Sequence, residues 1–364
     1  MTGPRCETFR SDRLARARAA IVIPARDEAE RIGPCLEALA AQEGIGETAI
    51  YLCVNNSTDA TARLAAGQAR ARGLALMVIE AILPRGGVGR ARRLGHLFAQ
   101  RHSPHATALL STDADTVAAP GWLATMRAAL DTAPAVLGRI EGLSDIDAAL
   151  LDELRGRGAI EDAYLRLSFE FERLLTGAAE TALALNTAGG ANLGLRREVY
   201  RAIGGFRPLT SGEDRDLVER LLAAGHAPLR ANGAVVAASM RADGRAPDGM
   251  AAKIAARLSG RDAGLDTALA PFAAMLARHL GGGTPTRPRR ALSRGEAERD
   301  LPRLERCVAR LRALPDPQTR RRYLGWLWSR ETFMPAEAAL PIPVAVEAHQ
   351  VPFAATRPAG AGGW

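Results

Sequence analysis

Short apolar runs alternate with segments of helical periodicity over the first part of the chain. The runs that predict strands lie at residues 19–23, 49–54, 74–80 and 106–110. Between them, apolar residues recur every three or four positions, as at Ile32, Leu36 and Leu39, which predicts helices. Four strand–helix units in succession predict an α/β fold, in which helices cover both faces of a parallel sheet.

The second half of the chain first continues this alternation and then changes. A strand at 136–141 and a helix at 145–176 precede a glycine-containing loop, two shorter helices and a strand pair at 229–238. Beyond residue 245 the pattern is helical, and the predicted helices lie at 251–258, 265–280, 300–314 and 320–328. We therefore predict an N-terminal arm, an α/β domain, a helical C-terminal extension and a flexible Pro/Ala/Gly-rich tail, at residues 1–18, 19–245, 246–332 and 333–364.

The composition is that of a folded protein, because 47% of the 364 residues are hydrophobic and 24% are charged. No apolar run approaches the roughly 18–20 residues of a membrane helix, and the arginine-rich N-terminus lacks the apolar core of a secretory signal. We therefore expect a cytoplasmic protein without a transmembrane segment. The four cysteines show no C-x-x-C spacing, so neither a zinc site nor a disulfide framework is expected.

The charge balance is basic, with 48 Lys and Arg residues against 40 acidic residues and a net charge of +8. Lys253 is the single lysine, so nearly all of this charge is arginine, whose planar guanidinium binds phosphate groups. A coding bias towards arginine is the alternative explanation. Aromatic residues make up only 4% of the chain, which is poor for stacking bases, and no nucleic-acid partner is expected.

Polar clusters follow the predicted strands at their carboxyl ends, where parallel sheets bind ligands. These clusters lie at residues 26–28, 55–59, 85–93 and 113–115, and a further acidic pair lies at 213–214. An Asp-x-Asp pair suits Mg2+ or Mn2+, and glycines and arginines at a helix start suit a phosphate. Each cluster alone also fits ordinary helix capping. No nucleophile elbow is present, so a serine hydrolase is not expected.

Taken in order and spacing, these clusters resemble family-two nucleotide-sugar glycosyltransferases of the GT-A fold. The resemblance covers residues 19–245 and is carried by segments 21–28, 55–61, 89–95, 113–115, 189–195, 204–206 and 212–214. It implies a GT-A-like, Rossmann-like mixed and mostly parallel sheet flanked by helices. It also implies a hexosyltransferase that moves a sugar from a nucleotide-sugar donor to an acceptor hydroxyl, with inversion and with a divalent metal.

The resemblance assigns roles on the donor side. Pro24, Arg26 and Glu28 would border the nucleotide, with Glu28 at the ribose or base. Asn55 stands where an aspartate usually recognises the base, and Asp59 belongs to the same loop. The base preference is therefore open.

Further roles concern the diphosphate, the metal and the acceptor. Arg90 stands where a basic residue commonly helps to bind the donor. Asp113 would bind the ribose or sugar, and Asp115, together with Asp113, would hold Mg2+ or Mn2+. Asp214, or else Glu213, would deprotonate the acceptor hydroxyl.

One departure from the family pattern concerns the segment after the last strand. Where many relatives place a metal-binding histidine, this chain has Arg241, with Arg245 four residues later. We predict that these arginines contact the diphosphate, with Arg93 also at the donor site. The alternatives are a non-catalytic nucleotide- or nucleic-acid-binding protein of GT-A-like fold, and a nucleotidyltransferase. The acceptor, whether a small molecule, a saccharide or a lipid-linked group, is not indicated.

Overall fold

The computed structural model describes residues 4–84, 87–143, 146–182, 185, 187–244, 250–259, 264–280 and 292–333. Within these residues nine strands form one sheet: β1 (Arg5–Phe9), β2 (Ala19–Ala25), β3 (Thr48–Asn55), β4 (Leu76–Ala81), β5 (Ala108–Ser111), β6 (Thr116–Ala118), β7 (Ala135–Gly142), β8 (Leu193–Arg196) and β9 (Leu229–Ala238). The helices are α1 (Ser11–Arg16), α2 (Ile32–Ala40), α3 (Thr61–Arg72), α4 (Val88–His102), α5 (Trp122–Thr132), α6 (Ala148–Thr176), α7 (Arg197–Ala202), α8 (Glu213–Ala223), α9 (Met250–Leu258), α10 (Phe272–Leu280), α11 (Arg294–Arg312) and α12 (Pro317–Phe333).

The sheet is mixed, and its strand order is β1-β4-β3-β2-β5-β8-β7-β9-β6. Strands β4, β3, β2 and β5 run parallel to one another, and β7 runs parallel to β9. The other pairings, made by β1, β6 and β8, are antiparallel. Apolar clusters lie on both faces, so that Ile21 of β2 packs towards α2, α3 and α5 while Val22 packs towards α4 and α8. The predicted α/β sheet flanked by helices is confirmed.

The central strands are apolar on both faces, since every residue of β2 and β3 is buried. Pro24 lies inside β2, although proline has no N–H for a ladder. Pairing of β2 with β5 ends at Val22 and Ser111, and Thr112 then donates its N–H to the Val22 carbonyl at 3.2 Å. Alternate residues face the same neighbour, so Pro24 faces the space beyond the end of β5 and its missing N–H costs no ladder bond.

The sheet begins earlier in the chain than the apolar pattern indicates. Strand β1 pairs antiparallel with β4, from Arg5 opposite Glu80 to Phe9 opposite Leu76. Most residues of β1 are exposed and no apolar run marks it, which is typical of an edge strand. Residues 5–16, predicted as part of an arm, thus form an edge strand and a short helix.

Three predicted boundaries are corrected by the structure. The predicted strand pair is one strand, β9, whose pairing with β7 includes a register shift. The helix predicted at 265–280 is shorter and is α10. The helix predicted at 300–314 starts earlier, as α11, because Ser293 and Glu296 form a capping box at its N-terminus.

The helices after residue 250 pack around α6. A third apolar cluster joins α6 to α10, α11 and α12, with the Phe171 and Phe272 rings edge to face at 6.3 Å. Helix α6 belongs to the predicted domain 19–245 but packs against helices of the predicted extension. The division of the chain into four parts therefore stays a prediction. Residues 334–364 of the predicted tail lie outside the described residues. No helix of the described chain is both long enough and apolar enough to cross a membrane.

Candidate functional site

Two loops at the carboxyl edge of the sheet, β2–α2 and β3–α3, are bound to each other. Asp27 has a left-handed backbone (φ 51°), its N–H donates to Ser57 Oγ at 3.0 Å, and its carboxylate accepts the Thr58 N–H at 2.8 Å. The N–H of Glu28 donates to Thr61 Oγ1 at 2.8 Å. The short polar side chains of both clusters thus fix the wall of the site that carries Glu28.

Asp59 takes part in the same cross-link. Its Oδ2 accepts the Ala29 N–H at 2.9 Å, and its Oδ1 accepts the Thr61 N–H at 3.0 Å and the Thr61 hydroxyl. Burial raises the pKa of Asp59, but these hydrogen bonds outweigh burial and hold the pKa below its ordinary value. The predicted contact of Asp59 with a donor stays a prediction, as does that of Asn55, which is buried at the end of β3.

A buried arginine joins the two acidic motifs. Arg92 of α4 is 2% exposed, and its Nη2 donates to Asp113 Oδ1 at 2.6 Å while its Nε donates to Glu213 Oε1 at 2.9 Å. Its Nη1 donates to Ser111 Oγ and, at 2.9 Å, to the Gly190 carbonyl. One guanidinium therefore connects the end of β5, the loop before β8 and the start of α8.

Arg92 lies in the arginine-containing helix start that the sequence suggests for a phosphate, and its buried ion pairs were not predicted, although the sequence contains a signal for them. It lies on the same face of α4 as His96 and Ala99, which are buried. A cation on the buried stripe of a helix requires buried partners of opposite charge, because desolvation penalises it otherwise. The approach also requires a glycine at position 190, where a Cβ would lie 2.3 Å from Arg92 Nη2.

The two predicted catalytic acids occupy different environments. Glu213 is buried and paired with Arg92; burial raises the pKa of Glu213 against the lowering effect of the guanidinium. Asp214 is only half-buried, and its Oδ2 accepts the Gly190 N–H at 2.8 Å. Its Oδ1 accepts the N–H of the next residue at 2.8 Å. Of the two, Asp214 is the carboxylate that reaches the surface.

A second arginine occupies the other side of the site. Arg241 follows β9, is 9% exposed, and places both Nη atoms on the two carboxylate oxygens of Glu28, with Nη1 2.9 Å from Oε2. Its Nη2 also lies 3.1 Å from Asp115 Oδ2. Burial raises the pKa of Asp115 to about 7, assisted by Asp113 and Glu28 and opposed by Arg241. Arg241, Glu28 and Asp115 therefore form one ionic cluster, in which Arg241 and Glu28 are buried and Asp115 is partly exposed.

The remaining predicted arginines divide into two groups. Arg26 is exposed, with Nε 3.9 Å from Asp27 Oδ2, and Arg90 is half-buried without an ion pair among the described residues. Arg93 instead donates to the Phe206 carbonyl at 2.9 Å, so it braces the turn before α8. Arg85 and Arg245 lie outside the described residues.

The donor set at this edge fits a divalent cation. Asp113 and Asp115 are 33% and 22% exposed, and carboxylate oxygens are the ligands that Mg2+ and Mn2+ prefer. The five clustered carboxylates, Glu28, Asp113, Asp115, Glu213 and Asp214, outnumber the two buried guanidiniums. Within the described residues no three His, Cys, Asp or Glu side chains surround one point. The protein would thus supply one or two ligands and leave the rest to phosphate and water.

A glycosyltransferase is the class of protein that the family comparison supports. The profile of glycosyltransferase-like family 2 matches residues 17–258, more than half of the chain. The chain belongs to the glycosyltransferase-like family 2, which confirms the predicted family. No curated protein matches the chain.

Among solved structures, several glycosyltransferases are similar to this chain at low sequence identity and with TM-scores below 0.5. S. aureus TarS 1–349 in complex with UDP-GlcNAc is 16% identical with a TM-score of 0.47, covering 86% of this chain and 92% of that one. The chain spans only 43% of a longer TarS structure. Mannosyltransferase PcManGT from Pyrobaculum calidifontis, in complex with GDP-Man and Mn2+, is 18% identical with a TM-score of 0.47, covering 87% and 86%. Glucosyl-3-phosphoglycerate synthase from Mycobacterium tuberculosis, with Mn2+, UDP and phosphoglyceric acid, is 17% identical with a TM-score of 0.42, covering 70% and 82%.

Proposed function

We propose that this protein is an enzyme that transfers a sugar, of the hexose type, from a nucleoside-diphosphate sugar to an acceptor hydroxyl. The observation that carries the proposal is a continuous chain of hydrogen bonds at one edge of the sheet. Asp113 binds Arg92, Arg92 binds the Gly190 carbonyl, and the Gly190 N–H binds Asp214. Asp113, assigned to the donor, and Asp214, assigned to the acceptor, are thus positioned by one hydrogen-bonded network. Such fixed positions suit a direct transfer between two bound substrates.

The donor would bind between the cross-linked loops and the start of α4. Among the described arginines, the exposed Arg26 and the half-buried Arg90 would approach the diphosphate, while Pro24 and Asn55 would border the nucleoside. Asp115 and Asp113 would hold Mg2+ or Mn2+, which supplies positive charge to the leaving diphosphate. Ser239 donates its N–H to the Asp115 carbonyl at 3.1 Å, which fixes the backbone that carries this carboxylate.

The acceptor side would depend on Asp214. Two backbone N–H groups hold its carboxylate in one orientation, which fits a base that takes the proton of an incoming hydroxyl. Glu213 remains buried on Arg92 and orients the turn rather than touching substrate. A single displacement at the sugar needs no protein nucleophile and inverts the anomeric configuration.

A thermal-shift screen of nucleoside diphosphates and their sugars, with Mn2+, tests the donor side. A bound nucleotide raises Tm by linkage, and Asp115→Asn should lose the shift while Asp152→Asn, an exposed aspartate of α6, should keep it. The identified donor is then assayed for release of the nucleoside diphosphate. If no nucleotide shifts Tm, the proposal is refuted. Binding without turnover would favour a non-catalytic binding protein, and release of pyrophosphate a nucleotidyltransferase.

A further inference from the structure

The feature that this family assignment leaves unexplained is the position of Arg241. Its guanidinium holds both oxygens of Glu28 and reaches Asp115 Oδ2 at 3.1 Å. Asp115 is the carboxylate assigned to the divalent cation. The protein therefore places a cation of its own on the predicted metal ligand.

We propose that Arg241 is an internal counter-cation that covers Asp115 until donor binds, so that a divalent cation enters only together with the nucleoside diphosphate. This inference rests on the proposed function for the identity of the nucleotide. It assigns to Arg241 the coupling of metal and nucleotide affinity, a role beyond contact with the diphosphate.

The burial of the cluster carries the argument. Arg241 is 9% exposed and is held by the two oxygens of Glu28, so it cannot leave Asp115 for solvent without breaking a buried bidentate ion pair. A metal that arrived alone would share a carboxylate with this guanidinium and be repelled by it. A diphosphate contributes negative charge and oxygen ligands to both cations, which removes the repulsion. The two ligands therefore bind cooperatively.

The test is the binding of Mn2+ to the full chain in the absence of nucleotide. Binding is measured from the loss of the electron paramagnetic resonance signal of the free ion. The wild type should bind weakly, and Arg241→Gln should bind at least about tenfold more tightly, in the ordinary range of coupling factors. Arg139→Gln, which removes an exposed arginine paired with Glu141, should match the wild type. Thermal unfolding checks that each variant folds. If Arg241→Gln does not fold, the double variant Arg241→Gln/Glu28→Gln serves instead, because it removes the cation without leaving Glu28 as an unpaired buried charge.

Two double variants identify the carboxylate that binds Mn2+ once the Arg241 guanidinium is removed. Adding Asp115→Asn to Arg241→Gln should abolish the gain, whereas adding Glu28→Gln should preserve it. The proposal is overturned if Arg241→Gln binds Mn2+ as weakly as the wild type, or if the gain depends on Glu28 rather than Asp115. Because these measurements contain no nucleotide, they fail independently of the proposed function, which fails when no nucleotide shifts Tm.

Discussion

Replacing Arg92 with methionine should be among the most destabilising single changes at this site. The change keeps an unbranched apolar stem but removes the guanidinium, and it leaves Glu213, whose side chain is 4% exposed, as a buried charge without its partner. Removing one member of a buried ion pair costs about 3–5 kcal/mol. Ser111 and the Gly190 carbonyl each lose a hydrogen bond worth about 1 kcal/mol. Asp113 is more exposed and can be rehydrated, so its loss adds little.

The expected decrease in the free energy of unfolding is therefore about 5–7 kcal/mol. Urea denaturation followed by circular dichroism measures it, provided that the m-value is unchanged. Arg139→Met is the matched control, since it breaks an exposed ion pair with Glu141 and should cost less than about 1 kcal/mol.

The double variant Arg92→Met/Glu213→Gln separates charge from packing. A neutral glutamine removes the unpaired buried charge, so the double variant should recover about 2–3 kcal/mol of the loss. A single variant within about 1 kcal/mol of the wild type would refute the reasoning. So would a double variant no more stable than the single one.

Three further predictions concern other groups. Burial lowers the pKa of His96 to about 3, and within the described residues its ring nitrogens have no hydrogen-bond partner. The neutral His96 therefore contributes fully to the free energy of unfolding above pH 6.5. This contribution is lost as pH falls towards 3, by about 1.4 kcal/mol per pH unit, because the unfolded chain binds the proton first. His96→Phe should flatten the stability profile over this window, and an unchanged slope would contradict the assignment. Asp214→Asn should lower turnover of the identified donor by 10²-fold or more with unchanged donor affinity, whereas Asp216→Asn should retain turnover; equal losses would exclude Asp214 as base. Arg215 pairs with Asp266 at 2.5 Å and ties α8 to the chain before α10, so Asp266→Ala should lower Tm, and an unchanged Tm would show that the tie is not stabilising.

The local pattern of apolar residues was sufficient to predict the strands that are buried on both faces. Strands β2 and β3 are apolar at nearly every position because helices cover them on both sides, and the sequence shows this directly. Strand β1 was not predicted because backbone pairing with β4 stabilises it and its own side chains form no apolar run. The capping box of Ser293 and Glu296 was a readable signal for the start of α11 that the apolar periodicity overlooked.

The sequence by itself determined the α/β class, the order of the polar clusters and their place at the carboxyl ends of strands, because these follow from the periodicity of apolar residues and from chain direction. Only the tertiary structure decided which charges meet. Arg92 pairs with Glu213 across 121 residues, and Arg241 pairs with Glu28 across 213. Such pairs depend on strand order and on angstrom-scale approach between distant segments, and a buried charge takes whichever partner the packed fold brings within hydrogen-bond distance.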